Sequence, residues 1–204
     1  VSIPGILLAG GQSRRMGGGD KCLRPLGTTT ILARVIERAA PQVAALALNA
    51  NGDPRRFAEY PLPVVADSVP DFAGPLAGVL AGLDWAASRG AGDSHVASFA
   101  TDAPFLPPDL VARFVTARER EDAELVCAAS GGRTHPVFGL WPIALREPLR
   151  RALVEEGIRK VDAWTSRYRL AIVDYPLEPF DPFFNTNRPD DLAAAAALMA
   201  AEGG

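Results

Sequence analysis

At 204 residues, with 48% hydrophobic and 22% charged residues, the chain has the balance of a globular protein large enough to bury a full core. Its net charge of −3 gives no support to general nucleic-acid binding, which shows itself as a basic face. No apolar run reaches the roughly 18 residues of a membrane span, the first residues lack a signal peptide's charged start, and Cys22 and Cys127 match no metal spacing. A reduced, cytoplasmic protein with no membrane anchor is therefore expected.

Residues 6–9 are uninterrupted apolar residues, as a strand buried on both faces requires. Five glycines follow between Gly10 and Gly19, with Arg14 and Arg15 among them and Lys21 just beyond. Glycines let backbone N–H groups turn inward to form an anion-binding nest, and the cations answer charge that those amides leave over. From Gln12 to Arg24 four cations stand against one acid, so this acidic chain carries a local positive centre suited to a small anionic ligand. The loop follows a buried strand, where open α/β sheets place ligands. It is not a P-loop, because Lys21 sits between Asp20 and Cys22, and no G-x-G-x-x-G is present.

Thr30 is placed to cap a helix bearing Ile31, Leu32, Val35 and Ile36 that ends near Pro41. Residues 43–48 read as a second buried strand stopping at Asn49-Ala50-Asn51, residues 55–60 as a short helix, and residues 63–67 as a third strand. Gly74-Pro75 opens the next helix, with Leu76, Leu80 and Leu83 along one stripe. Residues 95–100 form a fourth strand ending at Thr101-Asp102-Ala103-Pro104, and a helix carrying Leu110, Phe114 and Val115 follows. This alternation predicts a parallel sheet covered on both faces, with right-handed crossovers. The second half is less regular. Strands at 125–129 and 137–141 flank Gly131-Gly132, helices cover about 147–155 and 159–166, a strand lies near 170–173, and Asp190 begins a final Ala-rich helix. No repeat or linker divides the chain, which is read as a single domain over 1–204.

Parallel strands bring their carboxyl ends to one edge. Asn49, Asn51, Asp67 and Asp102 therefore share an edge with the glycine loop. Singly, each could cap a helix or close a turn; their common placement favours a site. Asp102 is the candidate metal ligand, since Mg2+ takes one or two carboxylates and leaves the rest to water and phosphate. Asp67 is either a second acid near the metal or an acceptor for base or ribose, and Asn49 offers both donor and acceptor for a base. His95 lies inside a strand, and neither it nor His135 makes a convincing catalytic triad.

The chain resembles the molybdenum cofactor guanylyltransferase family, within the nucleotidyltransferases that share an L-A-G-G-x-S-x-R-M-G-x-x-K signature. The matching residues are Leu8-Ala9-Gly10-Gly11, Ser13-Arg14-Arg15-Met16-Gly17-Gly18 and Asp20-Lys21, then Asn49-Ala50-Asn51, Asp67, Gly74-Pro75-Leu76-Ala77-Gly78, Thr101-Asp102-Ala103-Pro104, His135-Pro136 and Asn185-Thr186-Asn187. The resemblance implies a three-layer Rossmann-like nucleotidyltransferase fold with a mostly parallel sheet. It implies transfer of GMP from GTP to the terminal phosphate of Mo-molybdopterin, with release of pyrophosphate. By the same match, Leu8, Ala9, Gly10, Gly11, Lys21, Asn49, Asp67 and Asp102 hold GTP. Arg15, Lys21 and Asp102 are the catalytic set, with Asp102 on Mg2+. The later half carries molybdopterin contacts at His135, Asn185 and Asn187, and proteins that deliver or receive the cofactor are transient partners of a monomer. Cys22 and the Ala100-Thr101 lead into Asp102 depart from the usual family pattern.

The chemistry agrees with a phosphate acceptor. A phosphomonoester has a second pKa of about 6, so it is already an anionic nucleophile at neutral pH and needs no general base. Catalysis then reduces to positioning plus electrostatics. The rivals are a cytidylyltransferase for the same acceptor, a sugar-phosphate nucleotidyltransferase, and a non-catalytic module that binds molybdopterin or nucleotide.

Overall fold

A computed structural model describes residues 2–9, 20–69, 74–90, 94–186 and 189–202. The apolar run at the start forms β1 (Pro4–Leu8), which ends where the glycines begin. A small hairpin of β2 (Pro25–Leu26) and β3 (Thr29–Thr30), absent from the sequence reading, leads into α1 (Ile31–Ala39). Thr30 caps α1 as expected, its hydroxyl accepting from the Ala33 N–H at 3.1 Å.

β4 (Ala45–Asn49) and β5 (Val64–Val65) follow, joined through a tight 3-10 turn at Pro54–Phe57 where a short helix was expected. β5 is shorter than predicted because it closes the sheet's edge and begins after Pro63, which accepts from Leu48 N but has no N–H to offer. α2 (Pro75–Ser88) starts at the predicted Gly-Pro, and β6 (His95–Ala100) and α3 (Leu110–Arg120) complete the regular half.

β7 (Leu125–Ser130) and β8 (Arg133–Pro142) form a hairpin across Gly131 and Gly132, whose φ angles of 53° and 76° suit a two-residue turn. β8 is twice the predicted length because the turn is that tight, so pairing starts at once with Ser130 opposite Arg133. α4 (Arg146–Val154), α5 (Val161–Thr165), β9 (Leu170–Tyr175) and α6 (Pro189–Glu202) end the chain.

The main sheet has the order β5-β4-β1-β6-β8-β7-β9, and only the two pairings that β8 makes are antiparallel. Helices cover both faces. Leu7, Leu48 and Phe99 pack with Leu32, Val35 and Phe114 of α1 and α3. Ile6, Ala47 and Val96 point the opposite way, toward Leu80 and Leu83 of α2, Leu149 of α4 and Trp164 of α5. This is the mostly parallel three-layer α/β fold that the resemblance implied; the alternation alone predicted a parallel sheet, and β8 is the reversed strand it did not foresee. Residues six and seven of one strand serve different cores because successive strand side chains face opposite ways.

Candidate active site

The register of the sheet assembles the site. Val65, Asn49, Leu8 and Ala100 lie side by side across β5, β4, β1 and β6, at the carboxyl end of each. At about 4.8 Å between neighbours, the row spans roughly 14 Å. From β1 the chain crosses to β4 on one side, and from β5 it crosses back to β6 on the other. The crevice of such a sheet opens where this direction reverses, between β1 and β6. The glycine segment leaves from β1 there and Thr101-Asp102 leaves from β6. Thr101 ties the two ends together, its hydroxyl donating to the Leu8 carbonyl at 3.1 Å.

On the β4 side the predicted Asn49 and Asp67 are bonded to one another. Asn49 is buried, and its Nδ2 donates to Asp67 Oδ1 at 2.9 Å and to the Val65 carbonyl at 3.2 Å. Asn51 holds the other carboxylate oxygen, Nδ2 to Oδ2 at 2.7 Å, while its Oδ1 accepts the Asp67 N–H at 2.9 Å. Ala9 joins the same group, donating its N–H to the Asn49 carbonyl at 3.0 Å. The α2 helix comes close enough that a Cβ added to Gly78 would fall on Asn49 Oδ1 and 2.9 Å from Leu8 Cδ2. Gly78 is therefore a packing requirement of the site.

On the β6 side, Asp102 brings one carboxylate to the crevice. Burial raises its pKa, while its own backbone N–H and the charge of Lys21 act in the opposite direction. Lys21 opens a 3-10 turn, Lys21–Leu23, at the far end of the glycine segment. Cys22, the departure from the family pattern, is buried beneath it with its thiol pushed up to about 12, first by burial and then by the Asp20 charge. It is a packing residue and not a nucleophile. Among the described residues, no three or more His, Cys, Asp or Glu side chains gather to hold a metal.

The second half adds Ser130 and Asp181, which pattern did not single out, to His135, Asn185 and Thr186 of the matching motifs. Thr186, buried between Asn185 and the next residue, donates both its N–H (2.8 Å) and its hydroxyl (3.0 Å) to the Asp102 carbonyl. Asn185 is exposed beside it. His135 stacks on Phe183 at 4.6 Å, and Ser130 stands between His135 Nε2 (2.7 Å) and Asp181 Oδ1 (2.8 Å). Because the Ser130 hydroxyl donates to Asp181, His135 carries its proton on Nε2 and donates to the serine. The acid thus orients the serine and not the imidazole, which is the wrong order for a nucleophilic triad. Burial lowers the pKa of His135, Asp181 raises it and Arg133 lowers it. Ser130 and Asp181 left no periodic signal in the sequence.

Gly10, Gly11, Arg15 and Asn187 lie outside the described residues. Of the remaining predicted residues, Leu8, Ala9, Asn49 and Asp67 form one connected group, and the charge of Lys21 acts on Asp102.

A family model described as the MobA-like NTP transferase domain matches residues 5–169. A protein of Bradyrhizobium sp. (strain ORS 278), named molybdenum cofactor guanylyltransferase, is 60% identical, covering 99% of this chain and 95% of its own length. One of the same name from Nitrobacter hamburgensis is 58% identical, covering 100% and 99%. The solved structure of molybdopterin-guanine dinucleotide biosynthesis protein A from Archaeoglobus fulgidus superposes with a TM-score of 0.75 at 23% identity, over 98% of this chain and 100% of that one, a likeness of fold.

Proposed function

We infer that this chain, which belongs to the family of MobA-like NTP transferase domains and is a nucleotidyltransferase, has the activity of a molybdenum cofactor guanylyltransferase. It transfers GMP from GTP to the terminal phosphate of Mo-molybdopterin and releases pyrophosphate. The observation that carries the reading is the aligned row of strand ends, with Asn49 and its partner Asp67 on one side of the end of β1 and Ala100, two residues before Asp102, on the other.

In this reading the base and ribose of GTP lie toward Asn49 and Asp67, and the triphosphate lies along Leu8, Ala9, Gly10 and Gly11 to Arg15 and Lys21. Asp102 holds Mg2+, which supplies positive charge at the triphosphate when bound. The fit is supported by Asp102 itself: it is a single half-buried carboxylate whose ionisation burial opposes and a neighbouring cation favours. Lys21 and Arg15 stabilise charge on the departing pyrophosphate, where fixed donors act without reorganising. The acceptor phosphate is anionic at neutral pH, so no side chain has to remove a proton. His135, Asn185 and Asn187 line the molybdopterin side. The chain works as one domain and as a monomer in the cytoplasm, with transient contacts to proteins that supply or take the cofactor. Among the described residues, no helix is long and apolar enough to cross a membrane.

The test is conversion of Mo-molybdopterin by the purified protein with Mg2+ and GTP, followed by pyrophosphate release and by the guanine dinucleotide product. CTP is the control. Equal turnover with CTP, or none with GTP, sinks the reading.

A further inference from the structure

We propose that Arg56 is a positioning residue that locks the base side of the nucleotide site to the root of the phosphate loop. The inference rests on the reading of this crevice as a GTP site. Arg56 sits in the 3-10 turn after β4, a place where an arginine is ordinarily a solvated charge. Its Nε instead lies 2.7 Å from Asp20 Oδ2, in an ion pair whose two side chains are only 34% and 20% exposed. Its Nη2 donates to the Asn51 carbonyl. The guanidinium also lies 4.9 Å from the ring centre of Phe57, which is fully buried and anchors the turn. The backbone leaves room for this placement: Gly52 has φ +87°, and a Cβ there would come within 2.9 Å of Arg56 Nη1.

Each partner leads to one end of the site. Asn51 grips both the carboxylate and the N–H of Asp67, which Asn49 shares. Asp20 directly precedes Lys21, and its carbonyl accepts the Leu23 N–H at 3.1 Å, closing the turn that carries the lysine. Arg56 therefore links Asp67 to Lys21 through two contacts. A planar fork with separated N–H groups is suited to bridging a carboxylate and a carbonyl, whereas a lysine presents a single point charge. Arg55 makes the contrast. It pairs with Asp53 two residues away, with 88% of its side chain exposed, and reaches neither end of the site.

The experiment measures GTP binding by calorimetry and GTP KM and kcat on the full chain, for wild type and for Arg56→Gln, Arg56→Lys, Asp20→Asn and Arg55→Gln. Arg56→Gln should weaken GTP binding about tenfold, with KM rising in step and kcat falling less. Its melting temperature should stay within about 2 °C, as for other half-exposed ion pairs. Arg56→Lys should regain less than half of the loss, and Asp20→Asn should weaken GTP as well. Adding Asp20→Asn to Arg56→Gln should cost less than twofold more, since both break one link. Arg55→Gln removes the same charge and should leave GTP binding unchanged. If Arg56→Gln binds GTP within twofold of wild type, or if Arg55→Gln loses as much, the coupling is wrong while the guanylyltransferase reading stands. A wild-type protein that binds no GTP overturns both.

Discussion

The two halves of the sheet build their share of the crevice in different ways. From β5 to β6 the strands are parallel and in register, so side chains at equivalent strand ends meet without further help. From β8 to β9 the sheet contains a reversed strand, and polar residues reach the crevice through a hairpin and the loop after β9. There Thr186 bonds the Asp102 carbonyl, and Ser130 joins His135 to Asp181. A parallel edge makes a site out of topology, whereas the mixed edge has to be pinned by individual buried hydrogen bonds. The first half should therefore govern nucleotide chemistry, and the second should govern the acceptor and fail locally when one bond is removed.

The sharpest test of the first half is Lys21→Ala. The lysine acts on Asp102 and opens the 3-10 turn Lys21–Leu23, while the apolar cores are built elsewhere. Turnover should fall about 100- to 1,000-fold, the scale of losing one preorganised charge-stabilising group, with the melting temperature nearly unchanged. Pyrophosphate release at saturating GTP measures it, and normal turnover would remove Lys21 from the catalytic set.

Two glycines four residues apart on α2 separate site from scaffold. A Cβ at Gly78 runs into Asn49 Oδ1 and Leu8, whereas one at Gly82 lies 2.7 Å from Ile6 Cγ2 in the core. Both alanine variants should lose about 1–3 kcal/mol to overpacking. Gly78→Ala alone should also weaken GTP binding, because Asn49 must move away from Asp67. Denaturant melts and calorimetry separate the two costs, and equal GTP affinity in both variants would detach Gly78 from the site.

On the other side, Ser130→Ala removes a buried hydroxyl that both accepts and donates. The expected cost is about 1–2 kcal/mol of stability, since His135 loses its acceptor while Asp181 keeps the Phe183 N–H. The KM for Mo-molybdopterin should rise several-fold while the KM for GTP stays put. Equal rises in both would erase the division between the halves.

That division also decided what could be read from the chain. Apolar runs and polar terminators marked β1, β4, β5 and β6, so the placement of Asn49, Asp67 and Asp102 at strand ends was legible before any fold was known. Gly-Pro fixed the start of α2, and Thr30 fixed that of α1. The contacts made by Arg56, Ser130, Thr186 and Asp181 were not legible. Their roles depend on partners 36 to 84 residues away or on a bond through a third side chain, and no local period encodes such distances. The hairpin of β2 and β3 escaped because two-residue strands carry no alternation.

The smallest effect contrasts the two ends of a single strand. His95 begins β6, and burial, with help from Arg118, lowers its pKa to about 4. Asp102 follows the other end, and burial raises its pKa. Between pH 6.5 and about 4 the unfolded chain protonates His95 while the folded chain resists, so His95 makes stability fall as pH falls through that window. Asp102 acts with the opposite sign. Above the ordinary carboxylate value of 3.8, the folded chain holds this proton longer than the unfolded chain, so acid favours the folded form. His95→Gln should therefore flatten the loss of melting temperature between pH 6.5 and 4. Asp102→Asn should raise the melting temperature of the ligand-free protein at pH 7 while abolishing turnover. If Asp102→Asn melts lower than wild type at pH 7, its carboxylate is a structural anchor of the strand end and not a charge held ready for a ligand.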